Sequence, residues 1–265
     1  MDMKSNGNNL IYLYCLSELT PKLKDIEHLV KKLYFIYHRG LYAIVSLVSK
    51  DEFCEENLNT NLNNMEWLEK KVYIHEGIIQ GIMKNTWVIP FKFATLFNSV
   101  DSLKACLEQN AAKFKENLKY LKGKEEWGVK IYCETERLKE SLISEDKEFF
   151  KIDKEINSST PGKVFFLTKM KDELLKNKLD NKIIEYVQNS FERLREQSLE
   201  ASLNKLSPQK TNGQKSTVIS NSVFLVDKNQ INSFINIVNI LKEEYENDGV
   251  SLDCTGPWPP YNFCT

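Results

Sequence analysis

Leu33-Tyr34-Phe35-Ile36-Tyr37-His38-Arg39-Gly40-Leu41-Tyr42-Ala43-Ile44-Val45-Ser46-Leu47-Val48 holds two short apolar runs around the turn His38-Arg39-Gly40. Such a pair, with a glycine in the turn, predicts a β-hairpin. On its N-terminal side lies Leu10–Leu16, an apolar, aromatic run of strand length. Between the two, Thr20 offers an N-cap and Pro21 the first helical position, and Leu23, Ile26, Leu29, Val30 and Leu33 mark one helical face.

Beyond the hairpin, residues 49–61 are charged and Asn-rich, a surface connection. A helix follows from about Leu62 to Lys84, with Leu68, Val72, His75, Ile79 and Ile82 stepping by four and three. Gly77 and Gly81 cost it about 1 kcal/mol each relative to alanine, and their spacing leaves a smooth patch where another backbone can approach. Trp87–Phe97 reads as a strand that Pro90 confines to an edge or a bulge. The order so far is β-α-β-β-α-β, the ferredoxin-like pattern of an antiparallel sheet with helices on one face.

One helix is added after it. Val100, Leu103, Leu107, Ala111, Phe114, Leu118 and Leu121 keep helical spacing, Ser99 or Asn98 can cap the start, and Gly123 stops it. The charged segment Lys122–Glu126 marks a boundary, giving an N-terminal α+β domain over 1–124 and a C-terminal domain over 125–265. The second half opens with a strand at Glu126–Glu134, and residues 135–160 are charged short helix and loop. Helical spacing then persists from about residue 164 to 203 and either breaks near Asn177–Asn181 or projects as a rod. A loop at Ser207–Ser216 leads to strand material at Thr217–Val226, in one piece or two around Ser220-Asn221-Ser222. Asp227 and Gln230 start a helix with Phe234, Val238, Leu241 and Tyr245 on its buried face. Val250–Cys254 is the last strand. The class is α+β in two domains, the second a modified ferredoxin-like β-α-β-β-α-β.

Composition narrows the function. Net charge is −1 with mixed signs, unlike the basic footprint of a nucleic-acid binder. Six cysteines are scattered without a C-x-x-C pair, which argues against structural zinc and for reduced thiols in a cytosolic protein. Leu10–Leu16 is too short for a secretory signal, and no run approaches the ~18 apolar residues of a membrane span. His28 lies on a charged face, His38 in a turn and His75 on an apolar stripe, where a satisfied core histidine is expected. The pairs Glu55/Glu56, Glu125/Glu126 and Glu243/Glu244 read as solvated faces. No nucleophile–base pair, metal-ligand set or Gly-rich phosphate loop emerges, so no catalytic residue, metal or cofactor is expected.

The chain ends on Gly256-Pro257-Trp258-Pro259-Pro260-Tyr261-Asn262-Phe263. Three prolines among three aromatic rings make a stiff, apolar tail, docked on the second-domain sheet or offered to a partner. Five further segments accompany it: Tyr12-Leu13-Tyr14-Cys15, His75, Pro90-Phe91-Lys92-Phe93-Ala94-Thr95, Glu126-Trp127-Gly128-Val129-Lys130 and Pro161-Gly162-Lys163. Together they resemble the gas vesicle protein F/L family from about Leu10 to Phe263. The family motif usually carries glycine where this chain has Ala94.

The resemblance implies a two-domain accessory protein required for gas vesicle formation, cytoplasmic and vesicle-associated. It implies contact with the small amphipathic shell protein and with other vesicle accessory proteins, without nucleic acid or lipid membrane. Trp258, Tyr261, Phe263, Phe91 and Phe93 are the expected partner-binding residues. Two alternatives remain: a minor component at the inner surface of the vesicle wall, and a ferredoxin-like module whose Phe91, Phe93 and Phe97 stack RNA bases or hold a small ligand.

Overall fold

A computed structural model describes residues 8–24, 26–30, 32–206 and 216–264. The chain divides into two units, Met1–Glu125 with Pro257–Thr265, and Glu126–Gly256.

The first unit contains β1 (Asn9–Ser17), β2 (Tyr34–His38), β3 (Leu41–Ser49), α1 (Lys50–Phe53), α2 (Glu55–Asn61), α3 (Met65–Met83), β4 (Ile89–Pro90), β5 (Leu96–Phe97) and α4 (Val100–Leu121). Its sheet runs β2-β3-β1-β4, with β5 also paired to β1. The β2–β3 turn has positive φ at both central residues, Arg39 (53°) and Gly40 (81°), the geometry that matches strand twist in a two-residue hairpin. β1 pairs antiparallel with β3, and a β-bulge between Leu13 and Cys15 shifts the register. Residues Leu10 to Ser17 are all buried, because helices cover both faces of β1. Leu10, Tyr12 and Tyr14 pack with Ile78, Ile79 and Ile82 of α3. Ile11 and Leu13 alternate with them and face the other layer, where α4 buries Leu103, Leu107, Leu118 and Leu121. Each such leucine contributes about 1.5–3 kcal/mol of apolar burial. The helix added after the β-α-β-β-α-β order, α4, makes a second layer. Ser99 caps it reciprocally with Ser102.

Three local expectations also change. The helix expected after Pro21 is a run of turns, with Ile26 N–H and Glu27 N–H both donating to Leu23 O. Tertiary fit overrides propensity here, since Ile26 seats in the notch at Gly81 and Leu29 in that at Gly77. Side chains, not backbone, fill the patch. The 49–61 connection is two short helices, the first capped by Ser49. The 87–97 strand survives only as β4 and β5, because residues 91–95 turn away.

The second unit contains β6 (Lys124–Cys133), α5 (Thr135–Glu145), α6 (Lys147–Asn157), α7 (Pro161–Arg195), β7 (Glu200–Leu203), β8 (Thr217–Asp227), α8 (Ile231–Tyr245) and β9 (Val250–Trp258). Its sheet order, β7-β8-β6-β9, repeats that of the first: second strand, third, first, fourth. Val129, Ile131 and Cys133 of β6, Phe224 and Val226 of β8, and Phe234, Val238 and Leu241 of α8 share one core with Leu179, Tyr186 and Leu194 of α7. The class is α+β with two antiparallel sheets.

α7 is one unbroken helix of 35 residues, about 52 Å long. It does not break at Asn177–Asn181, where Lys178 pairs with Asp146 at 2.6 Å and Leu179 is buried in the core. Nor does it reach 203. Past Arg195 the chain turns, Leu199 N–H donates to Leu225 O, and residues 200–203 form an edge strand on β8. β8 itself is a single strand through Ser220-Asn221-Ser222. The loop expected at Ser207–Ser216 lies, except for Ser216, outside the described residues. The last strand continues to Trp258, past Gly256, where a Cβ would stand 2.9 Å from the Trp127 ring. Glu126, expected on a solvated face, is buried.

Candidate partner-binding site

The loop between β4 and β5 is stitched to β1 at the bulge. Phe91 N–H donates to Tyr14 O at 2.9 Å, and Leu13 N–H donates to Thr95 O at 2.9 Å. Within it, Lys92 O accepts from Thr95 N–H at 3.2 Å and from Thr95 Oγ1–H at 2.7 Å. The third residue of this tight turn, Ala94, has φ 59°. A positive φ there normally selects glycine, because Cβ costs about 1–2 kcal/mol in the left-handed region. Here an alanine adopts that angle. It aims Ala94 N–H at Tyr12 Oη, 2.9 Å away.

From Tyr12 a directed chain of hydrogen bonds runs through His75. Phe91 O lies 3.1 Å from His75 Nε2, and a carbonyl can only accept. Nε2 therefore carries the proton, and Nδ1 accepts from Tyr12 Oη–H at 2.9 Å. Tyr261 Oη, 3.0 Å from Nε2, takes the second branch of that donor and gives its own proton to Glu76 Oε1 at 2.8 Å. His75 is only 1% exposed, and Tyr12, Tyr14 and Phe93 surround its ring at 5.6–5.8 Å between centroids.

Burial sets the charges. It pulls His75 down to about 4, against the opposing pull of the Phe91 carbonyl. It pushes Glu76 up, although Tyr261 donates to the carboxylate. Tyr261 is raised by burial and then by the charge of Glu76, and Tyr14 is pushed up to about 12 by burial. At neutral pH the imidazole is neutral and the phenols keep their protons. Both ring nitrogens are occupied by hydrogen bonds, and through Tyr261 the arrangement fastens a tail. The satisfied core histidine expected from the sequence is what the structure contains.

The tail is what it fastens. Residues 257–265 group with the first unit, so the expected docking on the second-domain sheet is corrected. The prolines shape it: Tyr261 N–H donates to Pro259 O at 2.7 Å, and Phe263 N–H donates to Pro260 O at 3.3 Å. Pro259, Pro260 and Phe263 are buried. Of the five residues singled out from the sequence, Phe91, Phe93 and Tyr261 come together, Phe263 is inside, and Trp258 is 41% exposed.

Beside the tail a groove of about 700 Å³ follows the short edge strand β4 between the α3 and α4 layers. Ile89, Pro90, Phe91 and Phe114 give it an apolar floor, and the Phe91 and Phe114 rings meet edge to face at 5.9 Å. Lys92, Asn110, Lys113 and Asn117 supply its polar atoms. Sequence reasoning missed Tyr12, Glu76 and Phe114. The signals present were the Tyr12-x-Tyr14 pair inside a motif and the carboxylate next to His75. Among the described residues no His, Cys, Asp and Glu side chains cluster as a metal site, and no helix is long and apolar enough to cross a membrane.

The chain is similar to gas vesicle protein L of Streptomyces sp. (strain CB03234), 22% identical over 229 residues that cover 85% of this chain and 80% of that one. It is 23% identical to gas vesicle protein L1 of Halobacterium salinarum over 98% of this chain and 90% of the relative. The crystal structure of GvpF from Anabaena sp. PCC7120 shares the fold, with a TM-score of 0.67 at 14% identity over 97% of this chain and 96% of that one. The family model described as gas vesicle synthesis protein GvpL/GvpF matches residues 10–265, and the chain belongs to that family.

Proposed function

We propose that this chain is an assembly factor that binds the small apolar shell subunit of the gas vesicle while the shell is being built. Membership of the GvpL/GvpF family gives it a role in gas vesicle formation. The finer reading rests on the groove beside the tail, an open apolar channel of about 700 Å³ on the first unit. Very apolar subunits aggregate before assembly unless something covers them. Exposed Trp258, and Phe165, Phe166 and Met170 at the start of α7, add apolar surface of the same character. Strand addition at β4 contributes little, since this edge is two residues long and one of them is proline. Side-chain contacts in the groove carry the binding instead.

The test is a pull-down of the shell subunit with purified full-length chain and with Phe114→Asn. Truncation at Thr255 is the weaker experiment, because it also removes buried Phe263 and the Tyr261 hydrogen bonds. Loss of most retained subunit by a folded Phe114→Asn protein is the expected outcome. Equal retention by the two proteins overturns the groove as the binding surface. Washed, intact vesicles divide the roles further: absence from them fits an assembly factor, and retention at fixed stoichiometry identifies a wall component.

A further inference from the structure

We propose that the groove on the first unit selects an acidic, apolar peptide segment, its apolar side chain seated on Phe91 and Phe114 and its carboxylates met by Lys92 and Lys113. This deepens the reading of the groove as a partner site and rests on it. The charge balance of the lining carries the inference. Lys92 and Lys113 are exposed, line the groove, and form no ion pair among the described residues. Among the described residues the carboxylate in the lining is Glu76, which is engaged by Tyr261 Oη–H and is disfavoured as an anion by burial. Among the described residues the groove therefore offers two cations to a ligand with no lining anion of comparable freedom opposing them.

The two lysines come from different elements. Lys92 sits in the tight turn held by Thr95, and Lys113 lies on α4 one residue before Phe114. Each is the chain neighbour of one ring of the Phe91–Phe114 pair, so the same lining holds apolar and cationic groups. A purely apolar segment would leave the two ammonium groups facing it without a partner. A basic segment would be repelled. An extended segment alternating apolar and acidic residues satisfies both, as successive side chains of a strand point to opposite sides.

The electrostatic part of recognition is exposed and hence salt-sensitive.

The test uses the full-length chain and two fluorescent peptides, Ac-Leu-Asp-Phe-Asp-Leu-NH₂ and its Asp→Lys counterpart, with the double variant Lys92→Glu/Lys113→Glu. Both lysines are exposed, so charge reversal leaves the fold intact, which circular dichroism verifies. The wild-type chain is expected to bind the acidic peptide and not the basic one. Charge reversal should weaken the acidic peptide at least about tenfold, and raised salt should weaken it in wild type but not in the variant. Equal binding of the two peptides, no binding of either, or an affinity unchanged within about twofold by charge reversal overturns the inference. The shell subunit is assayed in parallel to separate the two readings. If the charge-reversed chain retains the subunit while the acidic peptide is unaffected, the assembly reading stands and the acidic preference falls. If the acidic peptide binds as expected but wild type retains no subunit, the groove's specificity stands and the shell subunit is not its ligand.

Discussion

Acid should loosen the first unit through His75. Its imidazole titrates near 6.5 when unfolded and is held down to about 4 in the fold. Between those values the unfolded chain binds a proton that the native chain refuses, so native stability rises with pH and is lost as pH falls from about 6.5 towards 4. At 1.36 kcal/mol per pKa unit the contribution amounts to about 2.5 kcal/mol between pH ~7.5 and ~4.5. His75 is 1% exposed, so solvent screening takes little from this figure. Glu76 works with the opposite sign: its raised value means the native carboxyl takes up a proton first, which adds stability on acidification. The comparison that isolates the imidazole is wild type against His75→Gln, in which Glu76 is common to both. Glutamine can accept from Tyr12 and donate to Phe91 O but does not titrate. At pH ~7.5 the variant should be the less stable, by about 1–2 kcal/mol for imperfect hydrogen bonds. At pH ~4.5 that deficit should disappear or reverse. Native-state hydrogen exchange of the α3 amides reads this unit separately from the other. A stability difference constant within ~0.5 kcal/mol across the range would refute a neutral, proton-refusing His75.

Two further substitutions test the packing. Ala94→Gly should stabilise by about 0.5–1 kcal/mol, relieving the cost of Cβ at φ 59° less the extra entropy of glycine in the unfolded chain; a lower melting temperature would contradict the turn geometry. Gly81→Ala should destabilise by about 1–3 kcal/mol despite alanine's higher helix propensity, since the new Cβ would stand 2.2 Å from Ile26 Cγ2. A rise in denaturation midpoint for that variant would mean that Ile26 does not occupy the notch.

The hairpin at residues 33–48 was legible from its glycine turn between apolar runs, and the helices α3, α4 and α8 from apolar residues at helical spacing, with Asn64 capping α3 and Ser99 capping α4. The segment after Pro21 carries the same local signals, yet it forms turns. Its outcome is decided by two glycines about fifty residues away, which periodicity within a window cannot register. β7 was invisible for a related reason, as Leu199 and Leu203 continue the helical spacing of α7 but are drawn off by pairing with β8. At the site, His75 was read correctly as a core residue, and Phe91, Phe93 and Tyr261 were flagged for their aromatic surface. Their convergence depends on where a tail 186 residues downstream of His75 docks, and spacing says nothing about that.

The docking of residues 257–264 inverts the usual order in which a nascent chain matures. N-terminal domains ordinarily fold first during synthesis, but here the first unit waits for a wall that is translated only after residues 126–256. Until then His75 lacks Tyr261, Glu76 lacks its donor, and the groove has one side missing. A chain interrupted anywhere in the second unit would carry the α3, β4 and α4 sides of the groove without Tyr261, Asn262 and Cys264. The donor to Glu76 and the tail side of the groove are thereby supplied only after the second unit has been made.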